Sequence, residues 1–287
     1  MNNSSDSSWG GTGATPLPYD WRDRLVERHP SVSPFLSSFP ESASLRQYQT
    51  GPALNQGEES SCVAFSSCHL QAFYEQMERK QWVVFDGHAL YVENGGTGNN
   101  GVLTRDVLQY LQARGCPVLG ASTRYKIQSY AFVDFSNDFL LAIQTVKAAI
   151  AANRPVVLAM LLPSDFTSGT SVGQTGSQVT SGYHQVLVGG YTLKGLDIFN
   201  SWGPGFGDNG WANVSIDYLA RPEQQGWLYA FTSFDGPDDN LPLPSPSPVK
   251  IEFNATAGKL KGNGALQIWP DSAITIAAGT KVHVKQM

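Results

Sequence analysis

The chain has 287 residues, 41% of them apolar, which is enough to bury a substantial core in two domains or one large bilobal domain. A net charge of −5 at pH 7 gives no basic surface for nucleic acid. No apolar run approaches the roughly 18 residues that span a bilayer. Three cysteines are too few for a disulfide framework, so we expect a core-stabilised protein without a membrane span or a nucleic-acid footprint.

The N-terminal region, residues 1–43, precedes the expected start of the folded body near Ser44. It begins rich in Ser, Gly and Asn and is then interrupted by prolines, which favours an extended chain. Its first eight residues lack the basic and apolar regions of a signal peptide, so the compartment stays open. Five apolar side chains could anchor this region to another surface: Trp9, Leu17, Tyr19, Trp21 and Leu25.

Two helices are predicted in the first half of the body. One begins at Ser60 or Ser61, either of which can cap it, and continues to about Lys80 with apolar residues on one side. The other follows Thr104 to residue 114, where Gly115 stops it. These segments predict a helical lobe.

The second half of the body is predicted to be rich in strands. A helix over residues 136–150 ends before Pro155, and apolar strand patterns follow. The predicted strands cover 156–161, 185–191, 196–200 and 211–216. The predicted fold class is therefore α+β, with a helical lobe and a β-rich lobe in a body over residues 44–235.

The C-terminal part is predicted to contain a linker and a short β segment. Residues 236–248 contain repeated prolines, which favour an extended semi-rigid linker. Residues 249–287 show short alternating strand patterns but are too few for an independent core. We expect them to pack against the body or to pair with an edge of its sheet.

Cys62 is the main candidate for a chemical role, because a thiol at a helix N-terminus faces unpaired N–H groups and the positive end of the helix dipole. Both favour the nucleophilic thiolate. Gln56 lies six residues earlier and could donate to an oxyanion. His184 precedes an apolar strand and could act as the base, and Asn200 follows the next strand and could orient it. The set predicts cysteine acyl-transfer chemistry.

These blocks, in this order, resemble the papain-like cysteine peptidases. The matching residues are Asn55-Gln56-Gly57, Ser61-Cys62-Val63-Ala64-Phe65-Ser66, His184-Gln185-Val186-Leu187-Val188-Gly189-Gly190-Tyr191 and Asn200-Ser201-Trp202-Gly203. The resemblance implies a two-lobed fold with the site in the cleft between the lobes, and catalytic roles for Cys62, His184, Asn200 and Gln56. It further implies substrate contacts at Asn100, Gly101, Tyr183 and Trp202, and Trp202 would also shield the His–Asn hydrogen bond.

The chain departs from the family pattern beside the nucleophile. Glu59 stands where the family usually has a half-cystine, and Val63 stands where it usually has a tryptophan. Neither change removes a proton-transferring or oxyanion-binding group, so we expect altered specificity with the chemistry retained. The unusual N-terminal region suggests a bacterial branch of the family, and only the resemblance points to secretion.

The resulting hypothesis is a monomeric cysteine endopeptidase that acts on peptide or protein substrates and needs no metal or organic cofactor. We also predict that part of residues 1–43 lies in the cleft as an intramolecular inhibitor, as in a zymogen. Two alternatives stay open: a transglutaminase-like acyltransferase, and a binding or scaffold protein with a residual peptidase fold. Other cysteines and histidines are expected to be structural or solvated: Cys68, Cys116, His29, His69, His88 and His283.

Overall fold

The computed structural model describes residues 11–17, 20, 22–167 and 169–235. The linker predicted for 236–248 and the β segment predicted for 249–287 lie outside these residues, as does His283. The proposed anchors Trp9, Tyr19 and Trp21 also lie outside them.

The described residues form an α+β fold, as the sequence predicts. The helices are α1 (Cys62–Arg79), α2 (Gly87–Glu93), α3 (Thr104–Ala113), α4 (Phe139–Ala151) and α5 (Ile216–Leu219). The strands are β1 (Ala43–Ser44), β2 (Cys116–Pro117), β3 (Arg124–Tyr125), β4 (Ile127–Val133), β5 (Val156–Pro163), β6 (Ser171–Val172), β7 (Val179–Tyr191), β8 (Gly195–Phe199), β9 (Trp211–Ser215) and β10 (Tyr229–Asp235). Short 3₁₀ turns cover Val26–Arg28, Ser33–Ser37, Arg46–Tyr48 and Pro222–Gln224.

One large sheet organises the described part of the chain, in the strand order β4-β10-β5-β7-β8-β9-β6, with β1 also paired to β7. The pairings are antiparallel except that of β6 with β9. Strand β7 is central, and its residues pair with β5 on one side and β8 on the other. Helix α1 packs against β7, and 15 of the 18 residues of α1 are buried.

The capping predictions need two corrections. Ser61 occupies the position before α1, but its hydroxyl makes no cap hydrogen bond. Helix α4 begins at Phe139 and is capped by Asp138, whose carboxylate accepts from the backbone N–H of Leu141 at 3.0 Å, instead of starting near Ser136. Ser136 instead donates its hydroxyl to Asp134, which fixes the preceding turn.

Residues 22–43 pack as part of the body. Val26 and Val32 are fully buried, and Leu25 forms a bridge with Phe132 of β4. Within the described residues no helix combines the length and apolar character needed to cross a membrane.

Buried His69 connects α1 to the loop that carries Gln56. Its Nε2 accepts a hydrogen bond from the backbone N–H of Leu54 at 3.0 Å, and its ring packs against Phe199. Burial lowers the pKa of His69 to about 3, because the charged imidazolium would be desolvated. The neutral ring therefore holds the loop that leads to Gln56.

We predict that His69 makes the fold acid-sensitive. The pKa of His69 is lower in the folded chain than the 6.5 of the unfolded chain, so below pH 6.5 the unfolded chain binds a proton that the folded chain does not. The free energy of unfolding therefore keeps its full value above pH 6.5 and decreases as the pH falls toward about 3. This loss amounts to about 1.4 kcal/mol per pH unit for one proton. In His69→Gln, an amide oxygen can still accept from Leu54 without titrating. Urea unfolding at pH 6 and pH 5 should show a smaller decrease in the free energy of unfolding for the variant than for the wild type. An identical decrease in both proteins would contradict this assignment.

Candidate active site

Cys62 is the first residue of α1, and its side chain is fully buried. Burial raises the pKa of its thiol to about 11, because a thiolate would be desolvated there. Nearby backbone N–H groups oppose this rise in the pKa of Cys62, and they belong to Gln185, Gly13, Val63 and Ala14. The sulfur is therefore surrounded by donors that suit an anion, in a site too dry for the anion to form readily.

His184 lies in β7 and is joined to Asn200. Its Nε2 is 2.8 Å from Asn200 Oδ1, and the backbone N–H of Ser201 donates to the same atom at 2.8 Å. Because two donors meet there, that atom is an acceptor oxygen and neutral His184 carries its proton on Nε2. Its Nδ1 is buried and has no hydrogen-bond partner within the described residues, which leaves a lone pair that can accept a proton. Burial lowers the pKa of His184 to about 4, and the Asn200 bond opposes that fall.

Aromatic side chains cover the His184–Asn200 pair. The Trp202 ring lies 5.1 Å from the His184 ring, and the Phe166 ring lies 5.9 Å from it. Phe166 also packs edge-on against Trp202 at 5.2 Å. The sequence analysis singled out Trp202 but missed Phe166, which no local motif distinguishes.

Gln56 is held in place by the segment that follows Asn200. Its Oε1 accepts from the Ser201 hydroxyl at 2.6 Å, and its backbone N–H donates to Ser201 O at 2.9 Å. Its Nε2 donates to the carbonyl of Glu59 at 2.8 Å and to that of Gly11 at 2.9 Å. Ser201 thus orients the predicted oxyanion donor, a role that the sequence analysis did not assign.

Residues 11–17, here called the N-terminal strap, lie across these groups. Gly11 donates its N–H to Gly57 O at 2.8 Å, and its carbonyl accepts from Gln56 and also from Trp202 Nε1 at 3.3 Å. Farther along, the N–H groups of Gly13 and Ala14 each lie 3.3 Å from Tyr183 O. The same two N–H groups lie near the Cys62 sulfur and oppose the rise in its pKa.

The strap fits closely because two of its residues lack side chains. A Cβ on Gly11 would lie 1.9 Å from Glu59 O, and one on Gly13 would lie 2.2 Å from Ser60 O. On the other side, a Cβ on Gly101 would lie 1.7 Å from Gly13 O. These clashes involve backbone atoms, which cannot rotate away, so each contact requires glycine.

Three of the four residues predicted to bind substrate border the strap: Gly101, Tyr183 and Trp202. The side chain of the fourth, Asn100, points toward Thr97 in its own turn, and its carbonyl accepts from the Tyr91 hydroxyl at 2.5 Å. Asn100 therefore shapes the loop that presents Gly101.

A family model described as papain family cysteine protease matches residues 39–220, which is more than half of the chain. No curated protein matched the chain.

Solved structures share the fold at low sequence identity. Xylellain, a cysteine protease from Xylella fastidiosa, is 20% identical with a TM-score of 0.63, over 79% of this chain and 97% of that one. A recombinant stem bromelain precursor is 18% identical with a TM-score of 0.61, over 79% and 78%. The proform of the ragweed pollen cysteine protease Amb a 11 is 20% identical with a TM-score of 0.56, over 69% and 66%. These matches confirm the papain-like two-lobed fold.

Proposed function

Because the chain belongs to the papain family of cysteine proteases, we propose that it is an endopeptidase with Cys62 as nucleophile and His184 as base. We further propose that Asn200 orients the base, that Gln56 binds the oxyanion, and that the N-terminal strap keeps the cleft closed. The observation that carries the catalytic proposal is the continuous hydrogen-bonded set from His184 through Asn200 and Ser201 to Gln56.

The proposed reaction assigns one task to each group. The Cys62 thiolate attacks the scissile carbonyl and forms an acyl-enzyme, while His184 protonates the leaving amine and then activates water. Asn200 holds the imidazole through Nε2 without adding a negative charge. Gln56 Nε2 and the N–H of Cys62 receive the oxyanion, and losing one such donor typically costs about 2.7 to 4 kcal/mol of transition-state stabilisation.

With the strap over the cleft, the Cys62 thiol and the His184 imidazole are both uncharged at pH 7. A thiol with a pKa of about 11 is ionised to roughly one part in 10,000 at pH 7, and an imidazole with a pKa of about 4 is neutral there. Removing the strap would admit water to both groups, lowering the thiol pKa and raising that of the imidazole. The strap therefore suppresses the reactive ion pair as well as covering it.

The strap also occupies the proposed oxyanion donor. The carbonyl that reaches Gln56 belongs to Gly11, whereas the groups facing the Cys62 sulfur are the N–H groups of Gly13 and Ala14. The strap thus occupies the donor that the oxyanion of a substrate would need.

We predict that Cys62→Ala abolishes peptide hydrolysis and preserves the fold, because the thiolate forms the covalent intermediate. Cys62→Ser should be almost as inactive, since a hydroxyl ionises far less readily than a thiol. Turnover of an internally quenched peptide, with circular dichroism as the fold control, tests both variants. Near-wild-type turnover in Cys62→Ala would refute the nucleophile assignment.

The same assay separates hydrolysis from acyl transfer. Adding a primary amine and analysing the products by mass spectrometry should yield mainly the free carboxylate. A dominant amide product would identify an acyltransferase instead.

We predict that Gly13→Ala raises kcat/KM on a small peptide several-fold, because the new Cβ cannot fit against Ser60 O and the strap must move away. An intramolecular segment acts at an effective concentration that can reach about millimolar, so weakening its fit shifts the balance toward an open cleft. Gly11→Ala should act in the same direction, because it meets Glu59 O.

Thr12→Ala is the matched control, because it changes the residue between the two glycines without adding bulk. Its kcat/KM should stay close to that of the wild type, and added strap peptide should reverse the gain in Gly13→Ala. Unchanged kcat/KM in both glycine variants would rule out self-inhibition and leave the catalytic assignment standing.

A further inference from the structure

Gln185, the residue directly after His184 in β7, has a fully buried side-chain amide with specific partners. Its Nε2 donates to the Ser66 hydroxyl at 2.8 Å, and its Oε1 accepts from the Thr104 hydroxyl. Ser66 lies in α1 and Thr104 begins α3, so this one side chain joins the strand of the base to two helices.

These contacts extend to the nucleophile and to β10. The Ser66 hydroxyl donates to the backbone carbonyl of Cys62 at 2.7 Å. The Thr104 and Tyr229 hydroxyl groups lie 2.8 Å apart. Leaving a member of such a buried network without a partner carries a full desolvation penalty, so the network resists displacement of β7 relative to α1.

The backbone of Gln185 also lies beside the nucleophile, because its N–H group is among those that oppose the rise in the pKa of Cys62. The side chain makes the two hydrogen bonds that hold the strand, one to Ser66 of α1 and one to Thr104 of α3. Contacts with two helices restrict both the separation and the tilt of the strand, which a single contact would leave adjustable.

We propose that Gln185 is a positioning residue for the reaction assigned above: its side chain sets the distance between the Cys62 sulfur and the His184 imidazole through Ser66 and Thr104. The inference rests on the proposed function, and it assigns a catalytic consequence to a side chain that touches no substrate.

Gln185→Met tests this role, because methionine has similar length and cannot replace the amide hydrogen bonds. Ser66→Ala removes the helix partner alone. Ser67→Ala is the matched control, since Ser67 is equally buried in α1 and donates to Val63 O at 2.7 Å, while the bond that Gln185 makes is to Ser66. All variants keep the intact N-terminal strap, so its effect cancels when the kcat and KM of each variant are divided by those of the wild type.

We predict that Gln185→Met lowers kcat about tenfold with KM changed by less than about twofold, because alignment in the transition state is lost while binding is kept. Ser66→Ala should lower kcat by about threefold, and the double variant should be no worse than Gln185→Met, since both act through one contact. Ser67→Ala should match the wild type.

The pH dependence distinguishes positioning from a merely structural role. A thiolate held farther from the imidazole forms at higher pH, so the acid limb of kcat/KM and the alkylation profile of Cys62 should both move to higher pH in Gln185→Met. Alkylation by iodoacetamide requires no peptide hydrolysis, so this readout stands even if the proposed peptidase activity fails.

A folded Gln185→Met with wild-type kcat and an unshifted alkylation profile would overturn the inference. So would equal losses in Ser66→Ala and Ser67→Ala. If Gln185→Met does not fold, the comparison of Ser66→Ala with Ser67→Ala decides the question by the same two measurements.

Discussion

The placement of strand β7 against helix α1 is the constraint on which the rest of the site depends. Side chains of successive residues in a strand point to opposite sides of the sheet. Three neighbours in β7 therefore reach three different partners, one through a backbone carbonyl and two through side chains on opposite sides. The Tyr183 carbonyl meets the N-terminal strap, His184 binds Asn200, and the Gln185 side chain bonds Ser66 of α1. A register shift of one residue would exchange these faces and separate the proposed base, His184, from the proposed nucleophile, Cys62.

The burial that brings these groups together also opposes their ionisation. An active cysteine–imidazole pair needs a charged thiolate and a charged ring, whereas a dry interior raises the pKa of Cys62 and lowers that of His184. The strap contributes to this dryness while supplying N–H groups to the sulfur. Under the proposed self-inhibition, closure of the cleft and suppression of the charged pair have one physical origin, and displacement of a single segment relieves both.

Much of the fold could be predicted from the sequence because its signals are local. The period of apolar residues located α1 and α3, and the ordered blocks around Cys62 and His184 predicted the two-lobed architecture. The predicted strand over 185–191 missed the start of β7 at Val179, because Thr180, Ser181 and Gly182 carry no apolar pattern and their place in the strand follows from pairing with β5. Strands β4 and β10 pair with each other through contacts far apart in sequence, which no local pattern reveals.

In the site too, some residues could be predicted from local sequence motifs, whereas others have roles that depend on contacts between distant parts of the chain. Motif spacing predicts roles for Cys62 and Gln56, but the contributions of Ser201 and Phe166 depend on contacts that exist only after folding. An inhibitory role for residues 1–43 stays a prediction from the sequence, whereas the need for glycine at position 13 depends on the backbone of Ser60. Asn100 was assigned from a motif, whereas the contact of its side chain with Thr97 in the same turn is visible only in the folded chain.

The most direct test of this account is the alkylation rate of Cys62 between pH 6 and pH 10, in the intact chain and in a chain that lacks residues 1–15. This truncation removes the contacts at Gln56 and Cys62 and keeps buried Leu17. The account predicts that the intact chain reacts slowly at pH 7 and steadily faster toward a pKa of about 11. The shortened chain should react rapidly at neutral pH. Identical profiles, with a thiolate already formed below pH 7 in the intact chain, would contradict it.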